Sequence, residues 1–137
     1  MPDSPTASNA APTSPDPLEP QSTGTLAAAI SNAVVGLLHE YTGRGPTRAR
    51  TTLGPDTIVV TLRDSLTKAE RTLAARGQST EVLAMRRAFQ DTMREDLVAV
   101  IERLSGRSVE AFLSDNLADP DVAVEIFLLN ATGGAAG

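Results

Sequence analysis

Few residues of this 137-residue chain could do chemistry, and they are poorly partnered. His39 is the only histidine, beside Glu40, and no cysteine exists to complete a metal site with it. A lone imidazole on a helix reads as a surface or half-buried side chain rather than a ligand. Asp115, Asp119, Asp121 and Glu125 crowd one stretch but lack the one-three-five ligand spacing of a calcium loop. Turns select Asp by themselves, so the stretch reads as a turn. Thr67 and Ser79 are hydroxyls at helix starts, where capping accounts for them. No G-x-S-x-G, phosphate loop or G-x-G-x-x-G occurs, and Gly43-Arg44-Gly45-Pro46 is too short to cradle a phosphate alone. Nothing pairs a nucleophile with a base. The expectation is a protein that is not an enzyme, with no catalytic, cofactor-binding or metal-ligating residue.

The unusual group is basic. Arg44, Arg48, Arg50 and Arg63 gather around one predicted hairpin. If Leu53 pairs with Ile58, then Arg48, Arg50, Val59, Thr61 and Arg63 share one face, and Ala49, Thr51, Leu53, Ile58, Val60 and Leu62 share the other. Like charges on one face cost free energy unless something negative meets them. Glu110 and Glu125 are expected on that same outer side, beside Phe112 and Phe127, where internal ion pairs could neutralise the arginines. The sharper reading makes Arg44, Arg48, Arg50 and Arg63 an interaction site for a second copy, an acidic partner or an anion.

The elements that must position these residues are legible from periodicity. Residues 24–42 predict an amphipathic helix with the stripe Leu26, Ile30, Val34, Leu37 and Tyr41. Strands are expected over 47–53 and 57–63, joined by Gly54-Pro55-Asp56. Thr67-Lys68-Ala69-Glu70 is a capping box, predicting a short helix from 68 to about 76. From Ser79 to Gly106 a long helix shows Val82, Met85, Phe89, Met93, Leu97, Val100, Ile101 and Leu104 on one face. Arg86, Arg87, Gln90 and Arg94 fall on the opposite side. Further strands are expected over 107–114 and 122–129. The last is apolar on both faces and so belongs inside a sheet. The fold class is thus α+β: helix, hairpin, two helices, hairpin, in two layers with a four-stranded antiparallel sheet ordered 1-2-4-3.

Composition sets the frame. Six of the nine prolines lie in residues 1–22, with Asp3, Asp16 and Glu19 and no basic residue. Such a stretch reads as a disordered acidic tail, leaving one domain over 23–130 and a small-residue tail over 131–137. The net charge of −5 gives no basic excess to attract nucleic acid, and four aromatic residues make no stacking platform. Absent cysteine fits the cytosol. The N-terminus lacks a signal-peptide pattern, and the run Leu26–Leu38 is too short to span a bilayer.

The segments YTGRGPTRARTTL, IVVTLRDSLTKAERTLA, RRAFQDTMREDLVAVIERLSGRSVEAFLSD and VAVEIFLL, in that order, resemble the MpsC family over about residues 25–130. That family is the soluble third component of a sodium-translocating, membrane-potential-generating system. The resemblance implies an accessory role beside membrane components of cation or inorganic-carbon transport, and brings no catalytic residues. It implies a cytoplasmic protein, peripheral to the membrane through partner proteins and not inserted in it. A homodimer is expected. The second reading is a small-ligand or anion-sensing module, also a homodimer, using the arginine face.

Overall fold

The computed structural model describes residues 20–44 and 48–131, with side chains from residue 23 onward. These residues form α1 (Pro20–Thr42), β1 (Arg48–Leu53), β2 (Thr57–Arg63), α2 (Lys68–Ala75), α3 (Ser79–Ser105), β3 (Val109–Leu117) and β4 (Val122–Leu129). The class is α+β, and the antiparallel sheet has the expected order β1-β2-β4-β3. Of the expected tails, residues 1–19 and 132–137 lie outside the described residues, and 20–22 already belong to α1.

Local chemistry explains most boundaries. At α2, Thr67 Oγ1 accepts from the Glu70 amide at 3.1 Å while Glu70 Oε1 accepts from the Thr67 amide at 2.8 Å. This is the reciprocal capping box that the sequence predicts. Gly106 closes α3 at φ 73°, a left-handed conformation that glycine adopts without penalty. Ser79 does not cap α3. Gln78 holds that position, without a side-chain cap. Strand β3 runs three residues further than expected because Leu117 pairs with Val122, which tightens the turn to residues 118–121. Arg107, expected at its start, instead ties the sheet end together, donating to the Pro55 carbonyl at 2.6 Å and to Asp56 at 2.7 Å.

Helices α1 and α3 lie on one side of the sheet, and α2 packs against α3. Ile30, Val34 and Leu38 of α1 and Met93, Leu97 and Ile101 of α3 share a core with Ile58, Val60, Leu62, Phe112, Ala123, Phe127 and Leu129. Phe112 and Phe127 stack with ring centroids 4.9 Å apart. Leu53 pairs with Ile58, so the two faces of the first hairpin are as predicted.

The faces of the second hairpin are not. Phe127 is the cross-strand partner of Ile58, and Phe112 that of Phe127, so both are core residues. Glu125 pairs with Val60 on the inner face and is 1% exposed, while Glu110 sits exposed at the irregularity between Val109 and Ala111. A strand apolar on both faces gives no periodic signal, and a choice of parity inverts every side chain at once.

Candidate functional site: the open face of the sheet

Inverting the second hairpin leaves a different outer face. It carries Arg48, Arg50 and Thr52 from β1, Val59, Thr61 and Arg63 from β2, and Val122, Val124, Ile126 and Leu128 from β4. The edge strand β3 adds Ala111, Leu113, Asp115 and Leu117. Leu113 and Leu117 are 55% and 54% exposed, and the outward β4 side chains Val122, Val124, Ile126 and Leu128 are half-buried. Neither α1 nor α3 packs on this side, since both lie in the core layer, and only Arg87 of α3 reaches round the β3 edge to Asp115, at 3.7 Å. The face is therefore a continuous apolar band bordered by cations. A lone soluble domain rarely leaves such a surface in water.

Three of the four predicted arginines come together here. Arg48, Arg50 and Arg63, with Ala49 and Thr61, line a cleft of about 600 Å³. Arg48 and Arg63 are direct cross-strand partners, a like-charge pairing that destabilises a sheet. Arg48 has a 3.7 Å contact with Asp64, both side chains well exposed, which is worth little in water. Among the described residues Arg50 and Arg63 have no anionic partner. Arg44 stands apart, with Nη2 donating to the Asp64 carbonyl at 2.9 Å.

A second polar cluster escaped the sequence reading. Arg86, expected in solvent, is buried against Glu70 at 3.0 Å. Its Nη2 donates to Ser65 Oγ at 2.8 Å and its Nε to Asn116 Oδ1 at 3.3 Å. Asp121 accepts from the amides of Ser65 and Leu66 at 3.2 and 3.1 Å. The group fastens the loop before α2 to the second hairpin, and each member is occupied by another. Asp121, expected as a turn residue, also holds this loop. Gln90, expected in solvent as well, is buried and donates to Glu125 Oε2 at 3.4 Å. Burial pushes the Glu125 carboxyl up to about 7, opposed by Ser114, Gln90 and the charge of Arg86. Oε1 of Glu125 and Oγ of Ser114, its cross-strand partner, have no bond of good geometry.

The spacing 82, 86, 90, 93, 97, 101 runs straight down the buried side of α3, so the signal for Arg86 and Gln90 was present as position. Their polarity hid it. Met85 and Phe89 occupy the neighbouring row, Met85 44% exposed and Phe89 half-buried. His39 is exposed in the last turn of α1. Among the described residues no group of three acidic, histidine or cysteine side chains could hold a metal ion, and no helix is long and apolar enough to cross a membrane.

A family model described as a Na+-translocating membrane potential-generating system (MpsC) matches residues 22–131. The chain belongs to the MpsC family. The match runs from within α1 through β4, so the MpsC segment carries both the core and the open sheet face. Membership in MpsC associates the chain with a Na+-translocating, membrane-potential-generating system as one of its components. No curated protein and no solved structure matches the chain significantly.

Proposed function

We propose that this MpsC protein is a non-enzymatic accessory subunit that acts through protein contacts made by the open face of its sheet. One observation carries the reading: no described element covers the outer sheet face, where an apolar band from β4 and β3 lies beside three arginines. Apolar area supplies the affinity of such a contact, and charges at its margin supply register and rate more than strength. The chemistry that an enzyme requires has no counterpart on this face, which carries no histidine, serine or cysteine. A cytoplasmic position, peripheral to the membrane through partner subunits, suits a domain of this kind.

The test is made in cells. In a strain lacking this gene, the wild-type chain should restore the Na+-dependent membrane potential, read with a potential-sensitive dye. Ile126→Lys places a charge at the centre of the face without touching the core, and it should fold normally yet fail to restore the potential. Full restoration by a folded Ile126→Lys chain would contradict the reading.

The arginine cleft supports a second reading, an anion-sensing module. A ligand of the native state raises the thermal midpoint by mass action. Bicarbonate, phosphate or a nucleotide should then raise it for the wild type and not for Arg48→Ala with Arg63→Ala. An unchanged midpoint with every anion removes this reading.

A further inference from the structure

We infer that the occupant of the open sheet face is a second copy of this chain, related by a two-fold axis that runs along the strands between β2 and β4. The inference rests on the docking reading above and names the partner. The strand registers order the outer side chains into rows. Arg50, Thr61, Val124 and Asp115 form one row across β1, β2, β4 and β3. Arg48, Arg63, Val122 and Leu117 form the row on one side of it, and Thr52, Val59, Ile126 and Leu113 the row on the other. Arg48 and Arg50 make the β1 edge cationic, Arg63 adds a charge at one end of β2, β4 is apolar throughout, and the far edge carries Asp115 level with Arg50.

A rotation about an axis along the strands keeps each residue on its row and exchanges the two edges. Arg50 of each copy then stands opposite Asp115 of the other, and Thr61 stands opposite Val124. A two-fold axis across the strands would instead set the arginine edge of one copy against that of the other, which is repulsive. Sheets pack about 10 Å apart, a gap that an Arg and an Asp reaching from opposite backbones can span. The aligned packing angle of about 30° moves edge residues by a few Å, within the reach of an arginine.

Both charged partners are available. The Asp115 side chain is 82% exposed, and both of its contacts, the Asn116 amide at 2.8 Å and Arg87 at 3.7 Å, fall on Oδ1, which leaves Oδ2 for a partner. Arg50 has no anionic partner among the described residues. The area also suffices. Four strands about 4.8 Å apart and up to about 27 Å long present roughly 500 Å² of flat face. Two copies then bury about 1,000 Å², at the threshold for a specific interface.

Charge exchange tests this arrangement. The full-length wild type should sediment as a dimer at micromolar concentration. Arg50→Glu and Asp115→Arg, each alone, create two like-charge contacts per dimer, and each should raise the dissociation constant by roughly tenfold to a hundredfold. Mixed in equal amounts, the two variants should form a heterodimer as tight as the wild type. In that mixture the introduced carboxylate meets the introduced guanidinium, and the native Asp115 of one chain meets the native Arg50 of the other. Recovery on mixing also shows that both variants are folded. A monomeric wild type overturns the inference, as does a wild-type dimer whose two variants do not rescue each other. If a monomeric wild type still lost its cellular activity on Ile126→Lys, the docking reading would survive and the second copy would not.

Discussion

Two buried polar residues test the account at the scale of single side chains. Arg86 is enclosed by Glu70, Ser65 and Asn116, so removing its charge leaves the Glu70 carboxylate uncompensated in the interior. Arg86→Ala should therefore lower stability by about 3–5 kcal/mol in denaturant unfolding, a cost set by the stranded partner as much as by the lost bonds. Glu125 makes the opposite case. Its folded carboxyl titrates near 7, against a usual value of 4.5, because burial disfavours the charge. The stability it contributes is fully present below about 4.5 and is lost as pH rises through about 7. Glu125→Gln should flatten that decline and leave the protein more stable at pH 8, on the order of 2–3 kcal/mol. Equal pH profiles for the two proteins would show that Glu125 is not held neutral.

Among the elements, α3 makes the buried-face assignment measurable. Leu97 is fully in the core, and Leu97→Ala should cost on the order of 2–5 kcal/mol. Arg94 is exposed, but its guanidinium lies 4.9 Å from the Phe112 ring centroid, so Arg94→Ala should cost about 0.5–1 kcal/mol. A chemical-denaturation midpoint that moved equally for both would contradict the placement of the helix. Elements whose signals agree were legible in the sequence. The Thr67–Glu70 capping box, the Leu53–Ile58 register and the order of the strands were all readable there. What was not legible has a common physical cause. Strand β4 is apolar on both sides, and its one charge, Glu125, points inward, against the rule that carboxylates face water. Arg86 and Gln90 break the same rule on α3. Polarity misleads where a buried network satisfies it, and only spacing then reports the buried side.

For the whole molecule, the consequence is a domain with one sheet face covered by helices and one that no described residue covers. Three of the four arginines expected as a site line one cleft, while Arg44 is drawn off to the Asp64 carbonyl. The apolar half of the face differs from the sequence expectation, since Phe112 and Phe127 turn inward and Val122, Val124, Ile126 and Leu128 stand outside. Nor does α1 cover this face, for it packs beside α3 on the other. An open apolar band in a family that belongs to a multi-component membrane system is the feature that most needs a partner.

The absence of cysteine permits a direct measurement of whether that band is covered. Ile126→Cys puts a single thiol at the centre of the face, and Glu95→Cys puts one on the exposed side of α3 as a control. Labelling with a maleimide is followed over a range of protein concentrations. The account predicts that Ile126→Cys reacts more slowly as concentration rises, while Glu95→Cys keeps a constant rate. Equal rates at all concentrations, matched by equal rates in cells that hold the other components, would contradict the claim that this face is an interface.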